Sequence, residues 1–227
     1  MLDLRLGDCL DVLSDFDSFD AIITDPPYGK KTHDGTNKHI ANADLPDASK
    51  RSGISYEHLT TSDVQKIADS LMPKTNGWFC VMTSHDLVPH WEDGIKRHDL
   101  YGFAPIPIIQ KRPRLRGDGP ASWTVWMMVA RRRNQKMARW GCLPGMYQGP
   151  TVKGSGVTGA KPIDLMRAIV RDYSKPGWLI CDPFAGSGTT LLAAAMEGRQ
   201  AVGVEIDSKT HGIALERLSR EFQPSFF

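Results

Sequence analysis

The chain reads as an α/β domain built on a doubly wound, mostly parallel, seven-stranded sheet. Short apolar runs of strand length alternate with longer amphipathic stretches of helical period, the pattern of strands joined by crossover helices. Two apolar runs end in an acidic residue and turn-forming sequence, Ile22-Ile23-Thr24-Asp25-Pro26-Pro27 and Leu179-Ile180-Cys181-Asp182-Pro183. In open α/β sheets, ligands bind beyond the carboxyl ends of such strands, where strand order reverses. At 227 residues the chain can bury a proper core, and we read residues 1–227 as one domain without internal repeats.

Taken in order, Leu2–Gly7 alternates apolar and charged residues as a half-buried strand, and Cys9–Leu13 follows as a short helix. Asp20–Thr24 carries the continuous run Ala21-Ile22-Ile23 of a strand buried on both faces. In Thr61–Met72, Val64, Ile67, Ala68 and Leu71 recur at helical spacing. Gly77–Thr83 is a strand, His85–Asp99 a helix, and Phe103–Gln110 and Trp123–Arg131 two further strands. Ile163–Tyr173 is helical, Trp178–Asp182 a buried strand, and Thr189–Met196 a helix rich in Ala and Leu. The strand Gln200–Glu205 and the helix Lys209–Phe222 complete the series.

Composition removes several classes. No apolar stretch approaches the ~20 residues that span a bilayer, so no membrane partner is expected. Met1 to Leu6 lacks a basic segment followed by an apolar one, so no secretory signal is expected. Cys9, Cys80, Cys142 and Cys181 are scattered without a C-x-x-C pair or clustered His. Neither a disulfide framework nor a metal site is expected, and a reducing cytoplasm is the expected compartment.

Asp25-Pro26-Pro27-Tyr28 carries the chemistry. Each proline fixes its own φ and lacks a donor, and each pushes the preceding residue to extended backbone. The result is a rigid corner at a strand end offering a carboxylate, a carbonyl and a ring face. Those parts suit a planar base, held by stacking while its exocyclic amine donates to the acceptors. A simple Pro-Pro turn with a packing tyrosine is the competing reading.

A second motif narrows this. Asp182-Pro183-Phe184-Ala185-Gly186-Ser187-Gly188-Thr189-Thr190 joins a buried strand to a helix. Its glycines allow close backbone approach to a ligand, and the helix start supplies N–H groups. It has no lysine before Thr189, as a P-loop requires, and Leu191 stands where a dinucleotide fingerprint needs its third glycine. Glu205, about 20 residues on at the next strand end, suits a pair of ribose hydroxyls. A nucleoside cofactor without phosphates, S-adenosylmethionine, fits this loop better than ATP or NAD.

Together these motifs resemble the DNA amino-methyltransferases. The similarity extends to Gly7-Asp8-Cys9, to Gly77–His85 and to Lys161-Pro162 ahead of Ile163–Val170. With Asp25-Pro26-Pro27-Tyr28 preceding the Gly-rich loop, the order is that of the circularly permuted beta group, which includes solitary, phage-borne and restriction-associated enzymes. The resemblance implies a Rossmann-like class I methyltransferase fold with Asp25, Pro26, Pro27 and Tyr28 catalytic. Asp at the head of the motif implies adenine N6 rather than cytosine N4. The base is expected to be flipped from the stack or already single-stranded.

The resemblance also implies a set of cofactor contacts. It places Asp8 near the adenine ring, Glu205 on the ribose and Phe184 against the ligand. Cys9, Asp25, Lys161, Pro162, Asp182, Pro183, Ala185, Gly186, Ser187, Gly188, Thr189 and Ile206 complete that set. Asp182 has an equal competing role as acceptor for its own turn. Asp207 reads as a helix cap.

The expected partner is DNA, double- or single-stranded, with a homodimer left open. Nine basic residues fall between Ile109 and Arg139, with Asp118 the lone acid among them. Lys111, Arg112, Arg114, Arg116, Arg131, Arg132 and Arg133 are read as DNA-binding, on a hairpin bringing both clusters to one rim. Residues 29–58 are polar and read as a mobile loop contacting substrate. Residues 134–160, with six glycines and two prolines between Gly141 and Gly159, are read as a short target-recognition region. An RNA adenine methyltransferase, an N4-cytosine enzyme and an inactive DNA-binding subunit remain open alternatives.

Overall fold

The computed structural model describes residues 1–30, 57–114, 120–133, 140–149 and 161–222. Nine strands form one sheet among these residues. They are β1 (Leu2–Leu6), β2 (Phe19–Thr24), β3 (Thr75–Thr83), β4 (Leu100–Gly102), β5 (Ile106–Arg114), β6 (Ser122–Arg132), β7 (Tyr147–Gln148), β8 (Leu179–Asp182) and β9 (Gln200–Glu205). The order is β1-β9-β8-β2-β3-β6-β5-β7, with β4 also on β6. Neighbours from β1 to β3 are parallel, and β6 runs against β3, β4 and β5. The sheet is doubly wound and mostly parallel, with helices packed on both faces.

Each of the seven expected strands is present, and β4 and β7 are additions. β4 precedes β5 along one edge of β6, the pairing shifting from Gly102↔Ala130 to Ile106↔Met127. The expected strand Phe103–Gln110 is therefore broken around Ala104-Pro105 and begins at Ile106. β7 is a two-residue strand beside Ile108 and Ile109, inside the region read as target recognition. Its Tyr147 is buried and donates to Asp172 Oδ2 at 2.6 Å, so residues 140–149 pack onto the domain body.

The helices are α1 (Cys9–Val12), α2 (Thr61–Leu71), α3 (Val88–Arg97), α4 (Ile163–Tyr173), α5 (Thr189–Met196) and α6 (Ser208–Glu221). α2 opens with a capping box in which Thr60 and Asp63 satisfy each other's backbone N–H groups. α3 starts three residues later than expected because Pro89 belongs to the first turn, where its missing N–H costs nothing. Asp207 caps α6 by accepting from Thr210 N at 2.8 Å. Strand alternation divides the core between the sheet's two faces. Ala21, Ile23, Cys80 and Met82 join α4 and α5 on one face, while Ile22, Phe79 and Val81 join α2 and α3 on the other.

Gly203 sets how closely the Gly-rich loop and α5 approach β9. A Cβ there would lie 2.7 Å from Leu191 Cδ1 and 3.0 Å from Ala185 Cβ. Gly203→Ala should destabilise the fold by about 1–3 kcal/mol, the usual cost of overpacking, read as a lowered urea midpoint at unchanged slope.

Candidate active site

Strand order reverses between β8 and β2: from β8 the chain crosses to β9 on one side, and from β2 to β3 on the other. The crevice beyond this pair is where an open α/β sheet binds its ligand. Both expected motifs leave from it, and a hydrogen bond ties them: Thr24 Oγ1 donates to Asp182 Oδ1 at 2.7 Å. The same oxygen accepts from Phe184 N at 3.1 Å. Asp182 is 2 % exposed, so it holds the turn and does not face a ligand. That corrects its place among the expected cofactor contacts. Burial pushes its carboxyl up to about 6, against the opposing hydrogen bonds of Thr190, Thr24 and Phe184.

The Gly-rich loop is fastened at both ends. Ala185 N donates to Val204 O, and Gly186 N donates to Glu205 Oε2, both at 2.9 Å. Gly186 (φ 53°) and Gly188 (φ 74°) take left-handed backbone, and Gly188 caps α5. Behind the loop, buried Arg217 of α6 donates to Ser187 O at 3.2 Å, Ser187 Oγ at 3.1 Å and Thr189 Oγ1 at 2.8 Å. The side chains of Ser187 and Thr189 thus face the fold, leaving their backbone to serve a ligand. Sequence reasoning missed Arg217. Its signal was the helical spacing of Ala214, Arg217 and Leu218, all buried.

Beside the loop lies a pocket across the carboxyl ends of β1, β9 and β8. Asp8, Cys9, Pro183, Phe184, Glu205 and Ile206 line it as expected; Gly7, Leu10, Val204 and, around α2, Leu59, Asp63, Lys66 and Ile67 are additions. Asp8 also caps α1, accepting from Leu10 N at 2.8 Å. Burial first, then the charge of Asp8, pushes the Cys9 thiol up to about 12, so it is an apolar wall. Glu205 Oε1 accepts from Asp207 N at 2.9 Å. With one N–H on each oxygen, its remaining lone pairs can take two hydroxyls. Ile206 is 71 % exposed at the rim, an apolar face for a ligand to cover.

At the catalytic corner, Tyr28 donates its hydroxyl to Asp25 Oδ1 at 2.8 Å. Lys161 Nζ donates to Asp25 Oδ2 and, at 2.8 Å, to the Tyr28 hydroxyl, and lies 5.1 Å from the Tyr28 ring centroid. Lys161, expected to close the cofactor cradle, here closes on Asp25, while Pro162 caps α4. Pro26 is buried and Pro27 partly exposed. Gly29 N donates to Ser84 Oγ at 3.0 Å, and Leu59 N donates to Tyr28 O at 3.2 Å beside a Gly29↔Leu59 bridge. Most of the loop read as 29–58 lies outside the described residues. Among those described, no group of three His, Cys, Asp or Glu could hold a metal, and no helix is long and apolar enough to cross a membrane.

The expectation of one basic rim is corrected by the register. Arg114 pairs with Ser122 at one end of β6, whereas Arg131 pairs with Trp78 and Arg132 with Leu100 at the other. Antiparallel strands rise about 3.4 Å per residue, so the clusters stand roughly 30 Å apart. The Lys111 end shares the sheet edge of the crevice; the Arg131 end does not. Arg132 donates to Thr75 O at 2.9 Å and also to Pro73 O, Arg133 pairs with Asp99 at 2.8 Å, and Arg131 lies 5.1 Å over the Tyr101 ring. These three serve the fold. Lys111 is exposed; Arg116 and residues 134–139 and 150–160 lie outside the described residues, as do the side chains of Arg112 and Arg114.

A switch point, a glycine loop and an acid-tipped strand together frame a nucleoside-binding α/β site. Residues 109–216 match the family model of N6/N4 DNA methylases. It is 40% identical over 133 residues to the type II methyltransferase M.HindIII of Haemophilus influenzae, 55% of this chain and 43% of that one. It is 43% identical over 58 residues to the DNA adenine methyltransferase YhdJ of Escherichia coli, 26% of this chain and 20% of that one. The chain thus spans less than half the length of these relatives. In fold it is similar to M1.HpyAVI in complex with S-adenosylmethionine, with TM-score 0.68 and 21% identity over 96% of this chain and 99% of that one.

Asp182 generates a pH signature. Its folded value lies above the ordinary 3.8, so between pH 4 and 6 the native state holds a proton that the unfolded chain releases. Stability falls as pH rises through that window and stays lower above it. Relative to wild type, Asp182→Asn should therefore gain about 2–3 kcal/mol between pH 4 and 7, read from urea unfolding at each pH.

Proposed function

We propose that this chain transfers the methyl group of S-adenosylmethionine to N6 of adenine in DNA. The observation that supports this most is that the Asp25 carboxylate and the Glu205-tipped pocket flank one crevice, their strands tied by Thr24 and Asp182. The family model that residues 109–216 match is named for N6 and N4 acceptors. Asp25 at the motif head, and the likeness to a relative named as an adenine enzyme, favour N6.

S-adenosylmethionine supplies an electrophilic methyl group on a sulfonium. Glu205 would hold the ribose, Ile206, Phe184 and Cys9 would enclose the adenine, and the Gly186–Thr189 backbone would serve the amino-acid portion. The target amine is a weak nucleophile because its lone pair is delocalised into the ring. Donating its hydrogens to Asp25 and the Pro26 carbonyl localises that pair. That nitrogen would then be poised to take the methyl group, the C–S electrons returning to sulfur and the amine proton passing to Asp25 or water. Holding both reactants at near-attack distance contributes several kcal/mol. A paired adenine must leave the stack to reach this corner. Lys111, Arg112 and Arg114, whose strand β5 ends on the crevice side of the sheet, are assigned to phosphates together with Arg116.

Three measurements test this reading. Asp25→Ala should lower methyl transfer to unmodified genomic DNA by at least about a hundredfold, and nucleoside analysis of the wild-type reaction should show N6-methyladenine. N4-methylcytosine alone would overturn the acceptor, and full activity of the variant would overturn the role of Asp25. Glu205→Ala should weaken cofactor binding by about 1–3 kcal/mol in calorimetry. Replacing Lys111 and Arg114 together by Ala should shrink the slope of log affinity against log salt by roughly two, while Arg131→Ala leaves it unchanged.

A further inference from the structure

Both oxygens of the carboxylate that the target amine needs already carry donors in this structure. Tyr28 donates to Asp25 Oδ1, and Lys161 donates to Oδ2 and to the Tyr28 hydroxyl. The Lys161–Asp25 pair is well shielded, with side chains 13% and 22% exposed, so its attraction is screened less than that of a surface pair. A carboxylate neutralised by an ammonium is a poor acceptor for a further donor. The base site is therefore shut electrostatically, and opening it requires another anion for Lys161.

Resting on the proposed methyl transfer, we infer that Lys161 switches between two carboxylates: Asp25 in the free protein and the α-carboxylate of the bound cofactor. Chain geometry makes the second anion reachable. A methyl carbon in line with an amine at Asp25 brings the sulfur close to that carboxylate, and three carbons separate sulfur from the α-carboxylate. Lys161 precedes the first turn of α4, whose cap Pro162 fixes the backbone, so the move is a rotation of its flexible four-carbon stem. The exchange conserves charge around Asp25, because the incoming sulfonium replaces the departing ammonium. It also orders events. Asp25 becomes an acceptor for a base only once cofactor is present, so an empty enzyme does not hold a base out of its helix. Lys161 is a positioning residue in this scheme, acting on the amine through Asp25.

The test is a calorimetric cycle on the full chain with S-adenosylhomocysteine, which has the α-carboxylate but no sulfonium, and with 5′-methylthioadenosine, which has neither. Asp25→Asn removes the competing anion and should tighten S-adenosylhomocysteine about 3- to 10-fold, whereas Lys161→Met should weaken it about 10-fold, the scale of a charge-assisted hydrogen bond. In the Lys161→Met background, Asp25→Asn should have no further effect. 5′-Methylthioadenosine should bind all four proteins alike, which also shows that the variants fold. An Asp25→Asn variant that binds S-adenosylhomocysteine no tighter than wild type overturns the switch, as does an effect of that substitution surviving without Lys161. Wild-type protein that binds neither nucleoside overturns instead the methyltransferase reading beneath it.

Discussion

The site rests on a buried carboxylate. Asp182 lies at the end of β8 with almost no exposed surface, and one of its oxygens gathers the Thr24 hydroxyl and the Phe184 N–H. Burying such a group is costly unless it is hydrogen-bonded, so both partners are held firmly. Thr24 immediately precedes the catalytic corner, and Phe184 begins the turn toward the glycines. Their motifs stand far apart in sequence, yet this one oxygen fixes their separation. The raised pKa of Asp182 records what that arrangement costs the fold.

Much of the architecture was legible because local and tertiary preferences agree. Ala21-Ile22-Ile23 before two prolines leaves little choice but a buried strand ending at Thr24, and Gly186 and Gly188 do take the left-handed backbone that a glycine loop invites. What was hidden depends on partners distant in sequence. β7 exists because Tyr147 reaches β5 and Asp172, and nothing in a Gly- and Pro-rich stretch announces a two-residue strand. The α2 wall of the pocket was equally silent, since Asp63, Lys66 and Ile67 read as an ordinary amphipathic helix.

The basic residues show how composition misleads when register is unknown. One apolar strand between two positive clusters suggests a single charged rim, but β6 is long enough to carry its ends to opposite edges of the sheet. Arg132 then closes backbone carbonyls at the start of β3, and Arg133 answers Asp99. The arginines at the far end serve the fold, and only the Lys111 end of the hairpin lies on the crevice side of the sheet.

The bridge between Gly29 and Leu59 clips the chain where it leaves the catalytic corner and where it returns beside the nucleoside pocket. The two ends of the intervening stretch are thereby brought together by residues of the body, whatever lies between them. Its length is in this sense independent of the chemistry: even a wholly unstructured insertion doubling it would add only about 0.6 kcal/mol of closure entropy. A chain organised this way can exchange the intervening segment without rebuilding the crevice, so the Gly29–Leu59 clip marks a natural seam for grafting.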